Sequence, residues 1–587
     1  MQKPIIIILR RLWQHLRRRR RRQFCLLLAL MVITSFFEIL SIGAVLPFLG
    51  VLTEPGRIFK LSAMQPLIQF LGLTAPIQLL LPLTIAFGMA AVMAGAMRLI
   101  LLWASTQLAF ATGSDLSINI YQRTLYQPYA VHCSRNSSEV INGISTKVND
   151  VIFSVIMPAL LLFSSVLMLM VILIAILAVE PVMAITAFVG FGLIYWGIIR
   201  LTRNRLLVNG ESVARESTQV IKSLQEGLGG IRDILIEGAQ EVYCIVYRKS
   251  DAILRRAQGN NMFIAYGPRY GMEALGMLLI AVLAYFLAQQ PDGIATAIPV
   301  LGGLALSAQR LLPVLQQAYS SWSSINGSRG SLIDVLDLLD QAQPDFVNQT
   351  VFTPLPFQHE IVLNQVGFRY SLEAPYILKN INLTIAKGSR VGFIGATGSG
   401  KSTLLDIVMG LLQPTDGSLE IDSMTIKASN YRAWQMNIAH VPQTIFLADT
   451  TIEENIAFGV PKAQIDYDRV RQAAEQAKIS QSIESWPKQY QTLVGERGVR
   501  LSGGQRQRIG IARALYKRAN VIIFDEATSA LDSETEQAVM QAIEGLSADL
   551  TLLIIAHRLT TLKNCTHVVE LENGFVKQVG SYKDIVK

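Results

Sequence analysis

Six long apolar runs constrain this chain more than any other feature of its sequence. They cover residues of about 24–50, 79–112, 151–179, 181–203, 270–289 and 293–325. A helix needs about 20 apolar residues to cross the hydrocarbon core of a bilayer, and each run reaches that length. Hydrophobic residues make up 51% of the 587 residues and charged residues only 16%, a charged share well below that of soluble proteins. The pattern predicts an all-α transmembrane domain of six helices, followed by a soluble domain.

Lysines and arginines are distributed unevenly between the two sides of the predicted spans. Ten of them lie between Arg200 and Met262, whereas the segment between the first two spans has only Arg57 and Lys60. By the positive-inside rule, the N-terminus, the long connections and the C-terminal half are cytoplasmic. The six arginines of Arg17–Arg22 directly precede the first span, so we interpret them as its cytoplasmic flank and expect no nucleic-acid partner.

The soluble half contains a phosphate-binding loop. The stretch GATGSGKST follows the strand-like SRVGFIG and precedes the helix-like STLLDIVMGLL, which is the context that this loop requires. Glycines allow backbone N–H groups to surround phosphates at a helix N-terminus, Lys401 reaches the β- and γ-phosphates, and Ser402 binds Mg²⁺. We therefore predict an α/β P-loop nucleotide-binding domain. The predicted phosphate-contacting residues are Gly395, Thr397, Gly398, Ser399, Gly400, Lys401, Ser402 and Thr403.

Two further motifs in this half point to nucleotide hydrolysis. In NVIIFDEATSALD, four apolar residues predict a buried strand; Asp525 at its end is placed to assist the Mg²⁺ shell, and Glu526 to act as base for the attacking water. The stretch LSGGQRQR predicts a second phosphate-binding turn before a helix, at Ser502, Gly503, Gly504 and Gln505. One nucleotide can use both phosphate-binding turns if the second turn comes from another subunit.

Residues 360–587 resemble the ATP-binding cassette family through all of these motifs in the family's order. The resemblance implies that Tyr370 stacks on adenine, that Gln443 links Mg²⁺ and the attacking water to the transport domain, that Asp532 crosses the dimer, and that His557 senses the γ-phosphate. It also implies ATP and Mg²⁺ as cofactors and an active ATP hydrolase. The expected metal-binding residues are Ser402, Gln443 and Asp525, and the expected catalytic residues are Glu526, His557 and Gln443.

A six-helix membrane domain fused to one cassette resembles a half-transporter of the exporter type. We therefore expect a transmembrane domain over 1–340, a linker over 341–359, a cassette over 360–587 and a homodimer that closes two ATP molecules between its cassettes. Helices at about Tyr129–Glu139 and Gly229–Val242 resemble the cytoplasmic turns that contact the cassettes. An ATP-gated channel and an importer are the less favoured alternatives, because no regulatory region is visible and importers usually keep the membrane subunit on a separate chain.

Three arginines lie at similar depth in the predicted spans. At about 1.5 Å per residue, Arg98 lies about 28 Å below the outer surface and Arg310 about 25 Å, and Arg269 begins the fifth span on the cytoplasmic side. A charge in hydrocarbon requires water, a partner or an anionic ligand. One hypothesis is a clamp for phosphate or pyrophosphate, since the arginine fork binds phosphate bidentately. The alternative is that each arginine extends to the interface or pairs with Glu38 or Glu273.

The membrane half also resembles the bacterial lipid-linked oligosaccharide flippases. The resemblance rests on FFEILSIGAVLPFL, on a short helix within Phe59–Leu73 at the outer interface, and on the arginines of AMRLILL, GPRYGMEALG and AQRLLPVL. It implies a multi-pass protein of the bacterial inner (plasma) membrane that contacts membrane lipid and moves an anionic lipid-linked substrate to the outer leaflet. A general lipid, lipid A-like, peptide or multidrug exporter remains the alternative.

Overall fold

The computed structural model describes residues 4–53, 55–61, 64–179, 181–288, 311–344, 347, 353–526, 533–544, 549–555 and 562–585. Three of the predicted site residues, Arg310, Asp532 and His557, lie outside these ranges. The chain divides into two compact units. The first comprises Met1–Leu125 and Arg135–Ala342, and the second comprises Tyr126–Ser134 and Gln343–Lys587.

The described part of the first unit is built from α-helices. Their bounds are α1 Ile5–His15, α2 Arg18–Thr53, α3 Pro55–Phe59, α4 Gln65–Leu71, α5 Leu80–Leu125, α7 Ser137–Asn142, α8 Val148–Val151, α9 Met157–Val179, α10 Pro181–Gly229, α11 Ile231–Glu237, α12 Gln240–Ala288 and α13 Arg329–Leu339, with residues 311–327 also helical. The short helix α6, Tyr129–Ser134, belongs to the second unit.

Several helices continue well past the apolar runs that predict them. The second run ends near residue 112, but α5 continues to Leu125. The fourth ends near residue 203, but α10 continues to Gly229. The fifth begins near residue 270, but α12 begins at Gln240. The helix is therefore continuous beyond the apolar run in all three cases.

Three segments of the described residues are long and apolar enough to cross a membrane, namely Arg18–Ser41, Pro76–Leu125 and Ser137–Ile174. They correspond to the first three predicted runs. The fourth run lies within α10, whereas the fifth and sixth runs include residues outside the described ranges, and as spans all three stay predictions. The third segment contains two π-helical turns, at Gly143–Lys147 and Ile152–Ile156, which interrupt the regular i→i−4 hydrogen bonding of the helix.

The short helix predicted within residues 59–73 is α4, Gln65–Leu71, which ends at Gly72 in a left-handed conformation. Its Ile68 is buried against Val51 of α2 and Leu83 of α5, whereas Phe70 on the other face is 86% exposed. The predicted short helix is therefore present. Its location at the outer membrane interface stays a prediction.

The second unit contains two sheets, flanked by helices. The strands are β1 Glu360–Phe368, β2 Leu378–Ala386, β3 Arg390–Ile394, β4 Asp416–Ile421, β5 Met424–Thr425, β6 Ile438–Val441, β7 Val521–Asp525, β8 Thr551–Ile555, β9 His567–Glu572 and β10 Phe575–Gly580. The helices are α14 Lys401–Val408, α15 Tyr431–Gln435, α16 Ile452–Ile456, α17 Tyr467–Gln476, α18 Ser480–Glu484, α19 Gly503–Lys517, α20 Ser533–Glu544 and α21 Tyr582–Ile585.

The sheet topology brings the functional loops to one edge. One sheet has four antiparallel strands in the order β2-β1-β4-β5, and the other has six in the order β10-β9-β3-β8-β7-β6. Strands β9, β3, β8, β7 and β6 are parallel. Because parallel strands end at the same edge, the loops that follow β3, β6 and β7 lie together there, which is where ligands bind in sheets of this kind.

Candidate functional site

The loop between β3 and α14 has a backbone that only glycine adopts readily. Gly395, Gly398 and Gly400 have φ values of 146°, 82° and 100°. A Cβ atom at Gly395 would lie 2.2 Å from the carbonyl oxygen of Leu571, and one at Gly400 would lie 2.7 Å from Cδ2 of Leu378. These positions therefore have both a conformational and a steric requirement for glycine. The resulting loop leads into the N-terminus of α14, where free backbone N–H groups favour an anion.

Side chains of the loop complete a polar cradle. The Nζ atom of Lys401 donates hydrogen bonds to the carbonyl oxygens of Gly395 and Ala396, at 2.8 and 3.0 Å. These bonds hold the ammonium group over the loop that is predicted to surround phosphates. The Oγ atom of Ser399 is buried and has no hydrogen-bond partner within the described residues. A buried hydroxyl without a partner is costly, and a phosphate oxygen in the loop would satisfy it.

Acidic and amide groups from β7 and the loop after β6 lie beside this cradle. The Ser402 hydroxyl donates a hydrogen bond to the carboxylate of Asp525. The Nε2 atom of Gln443 donates to Oε2 of Glu526 at 2.6 Å. Glu526 has a left-handed backbone with φ of 52°, and its N–H donates to the carbonyl of Ile555 at 3.0 Å. The structure thus brings together Ser402, Gln443, Asp525 and Glu526, which the sequence places up to 124 residues apart.

Burial and charge repulsion act together on the carboxylates of this edge. Burial raises the pKa of Asp525, the neighbouring Glu526 raises it further, and Lys401 and the Ser402 hydroxyl oppose the rise. A cation beside Asp525 and Glu526 would relieve that repulsion. The set of a hydroxyl, an amide oxygen and carboxylates is of the oxygen-donor kind that Mg²⁺ prefers. The residues present therefore fit a nucleoside triphosphate together with Mg²⁺.

Sequence analysis missed one acid at this site. Asp406 lies one helical turn after Ser402 on α14, and its pKa is raised to about 6 by burial and by repulsion from Asp525. The signal was the i, i+4 spacing from Ser402, which places both side chains on one face of the helix. Asp406 also acts electrostatically on Tyr129 of α6, whose pKa is raised to about 12, first by a hydrogen bond with Cys133. Asp406 therefore interacts electrostatically both with the nucleotide edge and with α6.

Tyr370 is the residue that is predicted to stack on adenine. Tyr370 follows β1, is 51% exposed, and packs edge-to-face on Phe368 with ring centroids 5.0 Å apart. The ring is thus in contact with the protein while about half of the side chain stays available for stacking.

The second predicted phosphate turn forms the N-terminus of α19. The Ser502 hydroxyl accepts from the N–H of Gln505 at 3.2 Å, and Oε1 of Gln505 accepts from the N–H of Ser502 at 2.9 Å, which is a capping box. Ser502 and Gly503 are exposed. Across the described ranges, no hydrogen bond or ion pair joins this turn to the P-loop group. Within one chain, the described residues therefore do not join the two predicted phosphate turns by a hydrogen bond or an ion pair.

Both described membrane arginines have acidic partners. The Nε atom of Arg98 donates to Oε2 of Glu38 at 2.7 Å, and a second bond joins its Nη2 to Oε1. The Nε atom of Arg269 donates to Oε1 of Glu273 at 2.8 Å, one turn along α12. The pairing alternative for these two arginines is therefore confirmed, and Arg310 lies outside the described residues. Pairing alone does not exclude a ligand, because the side chains of Arg98 and Arg269 remain 54% and 60% exposed.

Comparisons with known proteins find relatives over most of this chain. Residues 378–529 match the family model described as ABC transporter. The ATP-dependent lipid A-core flippase of Cupriavidus metallidurans is 30% identical over 475 residues, which are 80% of this chain and 79% of that protein. The heterocyst differentiation ATP-binding protein HepA of Nostoc sp. is 34% identical over 278 residues, which are 47% of this chain and 45% of that protein.

A solved structure of a bacterial Atm1-family ABC exporter with ATP bound is similar to this chain with a TM-score of 0.79, at 22% identity and with 96% of each chain covered. The likeness confirms the predicted fold class, an all-α exporter-type membrane domain followed by an α/β P-loop domain. ATP binding follows from the family match, whereas the roles of individual site residues stay predictions.

We expect Asp406→Asn to stabilise the cassette above pH 6. A carboxyl group whose pKa is raised on folding makes the folded protein less stable as the pH rises from about 4 to about 6. The reason is that the unfolded chain loses this proton at a lower pH than the folded protein does. With the partial exposure of the side chain discounted, the gain at pH 7 is about 1 kcal/mol, and it vanishes near pH 4. Thermal unfolding of the nucleotide-free protein at pH 4 and at pH 7 measures this change in stability. Glu373→Gln, which replaces an exposed carboxylate, serves as the control. An equal shift at pH 4 and pH 7 would contradict the prediction.

Proposed function

This chain belongs to the ATP-binding cassette transporter family and couples ATP hydrolysis to export, and from that premise we propose what it moves. We infer that the substrate is a pyrophosphate-bearing lipid-linked oligosaccharide, moved from the inner to the outer leaflet of the bacterial inner membrane. The Arg17–Arg22 run before the first span supports a cytoplasmic N-terminus and a cytoplasmic cassette.

We assign the hydrolytic roles as follows. The N–H groups of the glycine loop and Lys401 hold the phosphates, and Tyr370 stacks on the base. Ser402, Gln443 and Asp525 would hold Mg²⁺, which when bound neutralises charge on the phosphates. Glu526 accepts the proton of the attacking water, and the Gln443 amide at 2.6 Å orients its carboxylate. By resemblance to the family, His557 senses the γ-phosphate and Asp532 reaches across the dimer.

A second copy of the chain completes each ATP site in this proposal. The exposed turn of Ser502–Gln505 starts the 15-residue helix α19 and presents backbone N–H groups at its N-terminus. It has no direct hydrogen bond or ion pair to the P-loop within one chain as far as the structure describes it. We therefore propose that the turn of one protomer contacts the γ-phosphate held by its partner, so that ATP binding closes the dimer.

The substrate proposal rests on one observation about Arg98. Its partner Glu38 is only 2% exposed, yet the arginine side chain is 54% exposed. Two of its nitrogens donate to Glu38, and the guanidinium group retains further N–H donors that face away from the carboxylate. Such a group is fixed in position and still able to donate to phosphate. Arg269 and Arg310 would extend this phosphate-binding layer at the same depth.

A second candidate is export of a lipid A-core lipid. The relatives that carry that name include one that is 30% identical over 80% of this chain. Both candidates are amphipathic lipids, so the family relationship alone does not decide between them.

A panel of substrates in proteoliposomes tests the proposal. ATPase stimulation and flipping would be measured with a pyrophosphate-linked glycolipid, lipid A, a hydrophobic drug and a peptide. We expect the pyrophosphate-linked glycolipid to stimulate most strongly. Stimulation by lipid A or by the drug, with none by the pyrophosphate lipid, would contradict the proposal in favour of that other substrate.

Replacing Glu526 tests the assigned base. We expect Glu526→Gln to lower the ATPase rate by about 10²- to 10⁴-fold, because the amide cannot accept the proton of water, while ATP is still bound. Steady-state hydrolysis and equilibrium binding of a fluorescent ATP analogue measure the two effects. Glu475→Gln, which removes an exposed carboxylate from α17, should leave both unchanged. A Glu526→Gln variant that keeps half of its activity would refute the role.

Replacing the arginines tests the phosphate layer. We expect Arg98→Ala, Arg269→Ala or Arg310→Ala to abolish flipping, because each removes charge-assisted hydrogen bonds of about 1.5–3 kcal/mol, while ATP binding stays intact. Arg98→Ala also removes two hydrogen-bond donors from the buried Glu38, so the double variant Glu38→Gln/Arg98→Gln is the control that separates the two roles of Arg98. If Arg98 contacts substrate, the double variant stays inactive. Recovery of flipping would show that Arg98 only neutralises Glu38.

A further inference from the structure

A cavity of about 330 Å³ lies in the second unit, at the opposite end of the six-stranded sheet from the nucleotide edge. Its walls come from α17, from the last turn of α19 and from the residues that lead into β7 and β8. From there β7 runs for five residues to Asp525, a rise of about 16 Å. The cavity is therefore separate from the predicted ATP site, and its volume lies in the range of about 300–1,000 Å³ that is typical of ligand sites.

The lining residues of this cavity are of two kinds. Ala473, Ala514, Leu515 and Ile522 are apolar and buried, so covering them with an apolar group is favourable. The polar lining residues are all exposed or half-buried, namely Arg469, Gln472, Gln476, Arg518, Asn520 and Asp549. This combination suits a ligand that has an apolar body and a polar end.

Arg469 is held in position by its neighbours. It lies in the first turn of α17, where its backbone N–H donates to the carboxylate of Asp466 at 3.0 Å. Its guanidinium carbon lies 4.7 Å from the ring centroid of Tyr516, whose hydroxyl accepts from the N–H of Asp466 at 3.2 Å. The Nε atom of Arg469 is buried and has no hydrogen-bond partner in the part of the chain that the structure describes. The cation is therefore fixed in place with donors still available.

Arg518 supplies a second cation to the cavity. It follows α19 with φ of 53°, in the left-handed region where glycine is the usual residue at a helix end. The side chain is exposed, and among the described residues it forms no ion pair. An arginine at this position has a conformational cost that glycine would avoid, and its guanidinium group is open to an anion.

The charges of the lining residues restrict the ligand further. Arg469 and Arg518 contribute two positive charges and Asp549 one negative charge, so one anionic group balances the three. The several charges of a nucleotide phosphate chain would be repelled by Asp549. Gln472 and Gln476 follow Arg469 on the same face of α17, three and seven residues later, and their amides add neutral hydrogen-bond donors.

We propose that this cavity binds a small organic molecule that carries one carboxylate. Arg469 and Arg518 donate charge-assisted hydrogen bonds to the carboxylate, for which the arginine fork is suited. The apolar body of the molecule covers Leu515 and Ile522. This binding site is independent of the substrate that the membrane domain moves.

The proposed site lies where two elements of the ATPase meet. Helix α19 begins at the exposed turn after Ser502 and ends at the cavity, and β7 begins at the cavity and ends at Asp525. A ligand in the cavity contacts both elements and leaves the predicted ATP site free. The carboxylate and the nucleotide therefore bind at the same time.

Photo-crosslinking of the full chain in nanodiscs with 4-azidobenzoate tests the site. Labelled peptides are located by mass spectrometry, and we expect label within residues 467–476 and 514–522. Benzoate should compete with half-maximal effect at about 1 mM, as expected for a ligand of this size. The neutral analogue 4-azidobenzamide should label these segments at least tenfold less. Label confined to other segments, or equal labelling by the neutral probe, overturns the proposal.

Substitutions of the arginines show whether they hold the carboxylate. Arg469→Gln/Arg518→Gln should reduce the labelling by at least tenfold. Arg518→Gln alone should lose part of it, and this variant keeps the contact between Arg469 and Tyr516, so the cassette stays folded. Arg471→Gln, which replaces an exposed arginine of α17 outside the cavity lining, is the matched control and should label normally. Undiminished labelling of the double variant overturns the site.

Two competitors separate this site from other anion sites. Saturating ATP with Mg²⁺ should leave the label in place, and displacement by ATP would show that the probe occupies the nucleotide site. Inorganic phosphate, which has no apolar body, should compete at least tenfold more weakly than benzoate. Equal competition by phosphate overturns the assignment of an organic carboxylate.

Discussion

The inability of hydrocarbon to form hydrogen bonds underlies most features of the membrane half. It requires continuous helices, because these satisfy their own backbone groups. It explains why Thr34 and Thr112 donate to carbonyl oxygens one turn earlier in their own helices. It also explains why Glu38, only 2% exposed, is held by Arg98 from another helix. The same requirement is left unmet at Ser165, whose buried hydroxyl has no hydrogen-bond partner among the described residues.

The cassette, by contrast, places charged and polar groups around the binding site of a polyanion. Its parallel strands end at one edge, so the glycine loop, Asp525 and the loop that carries Gln443 meet there without long excursions of the chain. Burial makes the carboxylates of this edge repel each other, as the raised pKa values of Asp525 and Asp406 indicate. A cation in the nucleotide site relieves that repulsion. The same close placement of carboxylates therefore destabilises the empty site and favours binding of the cation.

Sequence reasoning succeeded where the signal was local or contiguous. Apolar runs predicted the described spans, and the glycine motif predicted the loop before α14, because both depend on neighbours in the chain. It could not choose between a free and a paired Arg98, since Glu38 lies 60 residues away and only packing of α2 on α5 brings them together. Asp406 was missed because its importance comes from proximity to Asp525, 119 residues later. The roles of Arg310, Asp532 and His557 stay predictions.

The Glu38–Arg98 pair has a consequence for how this protein could acquire a new substrate. Losing Arg98 first removes two charge-assisted donors from a carboxylate that is only 2% exposed, which is the more costly first step. Losing Glu38 first leaves an arginine whose side chain is still half exposed, which is the milder intermediate. Substitution of this pair is therefore less costly in one order than in the other, with Glu38 replaced before Arg98.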